Sequence, residues 1–192
     1  MSHSYVERFV SAKSLGEMLL NQLRAISLCL DNSLPMAALI LMYVMMDNMA
    51  ALDRAPDHES TKRSDFVQWV ERYVIPESGL PCSATDLYAA RCGLVHAHSS
   101  ESNLSRQKKA TPILYAWGPA ASEQELQTLI HAHCGQQCVD HVPLAIHVDR
   151  VCAALRQGVA RFIREVKNDR SRQDLVLARA SVIFSNLPAD EL

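Results

Sequence analysis

From Leu15 onward the apolar residues fall at helical spacing: Leu15, Met18, Leu19, Leu23, Ile26 and Leu30 predict a helix over 14–31 with one buried face. Ser14-Leu-Gly-Glu17 has the form of a capping box, in which the serine and glutamate side chains take up free amides at a helix start. Asn32-Ser33 breaks this helix. Pro35, which has no amide to leave unpaired, then opens a second that runs to about Asp53. That second helix is apolar nearly all round, as expected of a helix at the centre of a bundle. Phe66, Val67, Val70, Tyr73 and Val74 predict a third helix, ended by Pro76, and Trp69, Tyr73 and Tyr88 have the spacing of core packing. Ser83-Ala-Thr-Asp86 repeats the capping-box pattern. Leu87, Ala90, Leu94 and Val95 then form the stripe of a fourth helix, expected to end near His98.

The pattern changes after that point. Ser99 to Ser105 is serine-rich and without periodicity. Two β-prone runs follow, Thr111 to Trp117 and Val142 to Val148, separated by a segment that starts Ser122-Glu-Gln-Glu125 and reads as another capped helix. Val151, Leu155, Val159, Phe162, Ile163 and Val166 predict a long helix, the signal fades from Asn168, and 174–187 reads as helical. The fold class expected is therefore mainly α, a helical bundle with a small two-stranded β ribbon. All 192 residues are expected in a single domain: a bundle at about 14–98, then a ribbon and long C-terminal helix at about 106–170.

Composition narrows the classes of function. An apolar fraction of 48% with six glycines suits a folded globular chain with one well-filled core. The net charge of −2 argues against a general nucleic-acid coat. It hides an asymmetry, because residues 149–179 hold eight Arg or Lys against four acids, and a local basic face or a solvated helix face would account for them. Met1 to Val10 lacks the basic-then-apolar pattern of a secretion signal, so the six cysteines read as reduced and the location as cytoplasmic. The greasiest run, Leu34 to Met46, is interrupted by Asp47-Asn48 and is short of the roughly 20 apolar residues that span a bilayer, so no membrane association is expected.

Chemistry concentrates in Arg91-Cys92-Gly93-Leu94-Val95-His96. An arginine presents a planar fork of donors that fits phosphate, and a histidine changes protonation near neutral pH. Phosphodiester cleavage by a ribose 2′-hydroxyl needs those two jobs: a stabiliser of developing charge and a proton shuttle. Five helical positions at ~100° each leave the two side chains roughly 140° apart, so a bent arginine, another helix or a second copy of the chain has to complete a pocket. Asp47, a carboxylate in an apolar helix, calls for a cation, and Arg91 and Arg72 are the candidates for that structural ion pair.

A pair of helices followed by Leu87-Tyr-Ala-Ala-Arg91-Cys-Gly-Leu-Val-His96 resembles the HEPN superfamily, whose mark is Arg, four to six residues, then His at the end of a bundle helix. The resemblance covers about residues 14–98. It implies a bundle that dimerises and brings two motifs into one cleft. The activity it implies is metal-independent RNA cleavage or nucleotide binding, with Arg91 holding phosphate and His96 acting as acid or base. The basic cluster Arg106, Lys108 and Lys109 just beyond the motif is the candidate for substrate binding. Catalytic members usually carry a polar residue directly after the arginine, where this chain has Cys92. The rival reading is a non-catalytic helical interaction module in which Arg91 is only the structural partner of a carboxylate.

His131, His133, Cys134, Cys138 and His141 lie within eleven residues, yet their spacing matches no standard zinc finger, and no metal or other cofactor is expected. A helix C-terminus stopped at Gly135 is the plainer account of that segment. The chain has neither a phosphate-cradling glycine loop nor a Gly-x-Ser-x-Gly nucleophile.

Overall fold

Pro35 opens helix α2 (Pro35–Asp53), and the other helices are built around it. The computed structural model describes residues 12–97, 102–134 and 142–183, with eight helices and one two-stranded parallel sheet among them. Against α2 pack α1 (Ala12–Asp31), α3 (Arg63–Tyr73), α4 (Ala84–Ala97), α7 (Val148–Lys167) and α8 (Arg170–Ile183). Leu39, Met42, Tyr43, Met45, Met46, Met49 and Leu52 of α2 are fully buried, the unbranched methionines filling gaps between five neighbouring helices. By length and mean hydropathy alone α2 could cross a bilayer, contrary to the shorter apolar run read from the sequence, but half of that stretch is buried inside this bundle.

The chain is already helical at Ala12, so Ser14 and Glu17 lie inside α1 and do not form its cap; Glu17 pairs with Lys13 at 3.9 Å. At α4 the capping box is real. Ser83 N–H donates to the Asp86 carboxylate at 2.8 Å, and Asp86 N–H donates to the Ser83 hydroxyl at 3.1 Å. Asp86 also accepts from Thr111 N–H at 2.6 Å, which anchors the chain entering β1 (Ile113–Ala116). The serine-rich stretch beyond α4 holds one further turn of helix, α5 (Asn103–Arg106), capped by Ser102.

Parallel strands need a crossover, and α6 (Ser122–Cys134) supplies it between β1 and β2 (Leu144–His147), which pair in register Ile113↔Leu144 to Ala116↔His147. Side chains of α6 seal the outer edge of β2. The Gln127 carboxamide donates to Pro143 O at 3.2 Å and accepts from Ala145 N–H at 2.7 Å, while Glu123 accepts from His147 N–H at 2.6 Å. The ribbon is tied to the bundle by the buried hydrogen bond between the hydroxyls of Tyr43 and Tyr115.

Helix α7 crosses the end of α3 so closely that a Cβ at Gly158 would meet Tyr73 O at 2.8 Å. At the other end of α3, the carboxylate of Asp65 accepts from Lys62 N–H at 2.7 Å and is held by His58 Nδ1 at 2.8 Å. Burial works against its charge, but the Lys62 amide and His58 outweigh burial and hold the carboxyl below the ordinary aspartate range. The folded chain thus releases this proton more readily than the unfolded chain. Its stabilisation is full above the usual aspartate pKa of about 3.9 and fades as pH falls through the lower folded value. Replacing Asp65 with Asn is expected to lower the melting temperature at pH 7 and to shrink the further loss between about pH 5 and 3. Melting curves over that range check it, and an acid slope identical to wild type would contradict it.

Candidate functional site

Arg91 sits two turns into α4, on the side facing α2, and its guanidinium closes on Asp47. Nε and a terminal nitrogen both donate to Asp47 Oδ2, at 2.9 and 2.7 Å. The two side chains keep 20% and 29% of their surface, so the pair lies at the rim of the bundle. Burial opposes the charge on Arg91, but the hydrogen bonds and charge of Asp47, followed by the Cys92 thiol, outweigh it and raise its pKa. Of the two cations offered to Asp47 by the sequence, Arg91 is the partner. Arg72 instead binds Glu165 at 2.7 Å.

His96 belongs to the last turn of α4, but its side chain lies outside the described residues, as do His98 and Ser99 to Glu101. Arg106 ends α5, which packs against α4, and its guanidinium donates to Asn103 at 2.5 Å. Lys108, with a positive φ of 57°, and Lys109 follow in the exposed turn. The motif arginine and this basic turn therefore belong to neighbouring elements.

Two features beside Arg91 are only partly legible in the sequence. Tyr88, one turn earlier on α4, is half-buried, with its ring edge-on to Phe66 at 5.4 Å and the Arg63 guanidinium over its face at 5.4 Å. The second is a partly exposed stripe along α2, Met36, Ile40 and Val44, one turn apart and leading to Asp47. Helical periodicity hints at both, but an apolar helix without a polar face does not say which side its neighbours leave open.

The basic excess of residues 149–179 goes largely into holding the fold together. Arg150 donates to Gly79 O and Glu123, Arg156 to Ser27, and Arg161 to Tyr73 O and Pro76 O at 2.8 Å. Arg172 bridges Asp53, Glu165 and Tyr73, and Arg179 binds the carbonyls of Leu52 and Arg54 at the end of α2. A cleft of about 720 Å³ beside β2 is walled by groups likewise bound to one another. There, Glu123 meets Arg150, and His147 accepts from Asp149 N–H and donates to Gly118 O. None of the motif residues lines it.

His131 interacts with Gln127 at 3.2 Å. Cys138 and His141 and the Cys134 side chain lie outside the described residues, among which no three His, Cys, Asp or Glu side chains gather as a metal site. Cys29, Cys82, Cys92 and Cys152 are free thiols. No protein-family model, curated protein or solved structure matches the chain.

Proposed function

We propose that the chain works as a HEPN-like homodimer, meeting along the open stripe of α2, that binds RNA or nucleotide phosphate through Arg91 and cleaves RNA without a metal through His96. The observation that carries this reading is the position of Arg91: aimed by Asp47, partly open to solvent, at the border of an uncovered apolar stripe. A guanidinium fixed in direction by a carboxylate is preorganised for a second anion, since little rotamer freedom is left to lose on binding. Two copies joined along α2 would place their Arg91 and His96 positions near one seam, which overcomes the 140° offset within one helix. A chelator-treated RNA cleavage assay on wild type and the His96 variant tests the chemistry.

A second reading, the non-catalytic interaction module, is favoured by one observation. Asp47 already engages two donors of Arg91, as expected of a purely structural pair.

Both readings rest on self-association, and light scattering at micromolar concentration is expected to give twice the 21.4 kDa chain mass. Met36 and Val44 are 44% and 37% exposed, so a glutamate at 44 can reach solvent in the folded chain, and Val44→Glu is expected to give a folded monomer. A wild-type mass of one chain, or a Val44→Glu variant that stays dimeric, would refute the α2 interface.

A further inference from the structure

A continuous run of side chains leads away from Arg91 along α4 to the start of α3. Tyr88 stands one turn before Arg91 and Cys92 on α4. The Arg63 guanidinium covers the Tyr88 ring, 5.4 Å from its centroid. Burial pushes the pKa of the Tyr88 hydroxyl up, and the charges of Arg91 and Arg63 act against that rise.

The placement of Arg63 is not explained by folding. It is the first residue of α3, where the helix dipole disfavours a cation. It is exposed, and no carboxylate among the described residues pairs with it. Arg72, in the last turn of the same helix, shows the favourable case, with the dipole and Glu165 both acting on it. The contact of Arg63 with Tyr88 is a single cation–π contact at an exposed site.

We propose that Arg63 and Tyr88 form a second phosphate subsite, adjoining Arg91, that holds the backbone of single-stranded RNA as it leaves the seam between subunits. This rests on Arg91 binding phosphate. It adds a direction, from the end of α4 across Tyr88 to the start of α3, and a requirement for a ligand with more than one phosphate. The charges of Arg63 and Arg91 meet successive phosphates, and the Tyr88 hydroxyl donates to an oxygen between them. Nothing in this arrangement reads base edges, so binding is independent of sequence.

The test is fluorescence anisotropy of a labelled 12-nucleotide oligouridine on the full chain with chelator present, over a series of salt concentrations. Arg63→Ala is expected to weaken binding roughly tenfold, the loss of one charge-assisted contact. It should also make the plot of log affinity against log salt shallower by about 0.7, one phosphate contact fewer on a single strand. Tyr88→Phe should weaken binding severalfold without the change in slope. Arg164→Ala, which removes an equal exposed charge from α7, should leave both unchanged. Melting curves should match wild type for Arg63→Ala, since only one ring contact is lost. If oligouridine binding depends on Arg91 but is indifferent to Arg63, the second subsite is wrong and the phosphate reading of Arg91 stands. If wild type binds no oligouridine at low salt, both fall. A labelled nucleoside triphosphate is the other arm. Arg63-dependent binding of the triphosphate alone, without RNA, would overturn the assignment of the subsite to an RNA strand.

Discussion

Replacing Arg172 with Ala is expected to destabilise the protein by about 3 kcal/mol, the lower end of the range for removing one partner of a buried charged network, because Arg172 and Asp53 keep 18% and 19% of their surface while several bonds are lost at once. Arg172 donates twice to Asp53, at 3.2 and 2.7 Å, and also to Glu165 and to the Tyr73 hydroxyl, so one side chain of α8 joins α2, α3 and α7. Its guanidinium also lies over the rings of Phe162 and Tyr73, at 5.4 and 5.9 Å. Burial already raises the pKa of Asp53 against the lowering effect of Arg172, and without the arginine this carboxylate has only the more distant Arg72 to offset it. Its raised pKa should then rise further, so the variant should recover part of its lost stability as pH falls toward the aspartate range. Arg172→Met, which keeps the stem over the two rings and loses the charge, separates packing from charge. Urea unfolding at pH 7 and pH 5 measures both. An Arg172→Ala loss below about 1 kcal/mol would mean that the network is a solvated surface cluster.

Arg172 also shows where sequence reasoning stops. The central helix was legible from Pro35 to Asp53 because a proline start and a long apolar run are local signals. The parallel ribbon was legible as two β-prone runs around a capped helix, although only the backbone shows that the strands run parallel. Helix α8 was legible only from 174 onward and α5 not at all. The buried residues of α8 include Val176, Arg179, Ala180 and Ser181, and an arginine and a serine inside that stripe break the hydrophobic periodicity. Arg179 is buried because it takes up the carbonyls that end α2, a partner 125 residues away in sequence. The same reason hid the site's surroundings. That Asp47 needs a cation, with Arg91 one of two candidates, was legible because a carboxylate stands in an apolar helix; the choice of Arg91 over Arg72, and the position of Arg63 over Tyr88, are set by how α2, α3 and α4 pack. Basic residues in a helix read from sequence as a solvated face or a nucleic-acid face. In residues 149–179 they act mostly as cross-braces between helices.

The functional readings separate in the expected behaviour of His96 and Arg91. Wild type should cleave single-stranded RNA with chelator present, leaving the cyclic phosphate ends that attack by a 2′-hydroxyl produces. His96→Ala removes the proton shuttle and should lower the rate by about 10²–10⁴, the usual contribution of a general acid or base. Its melting curve should hardly move, because a histidine at a helix end ordinarily contributes little to folding. Arg91→Ala should lose cleavage to a similar degree and also stability, since it leaves the Asp47 carboxylate without its guanidinium. With both partners at the rim, that stability cost should be about 1–3 kcal/mol, below the range for a fully buried pair. The double variant Asp47→Ala with Arg91→Ala divides the two roles. It removes the stranded charge and should regain most of the lost stability, while cleavage stays lost because the phosphate ligand is still missing. The interaction module gives a different set of results: no cleavage by wild type, the same loss and recovery of stability, and an unchanged dimer. That set would end the nuclease reading and leave Arg91 as the clamp between α2 and α4.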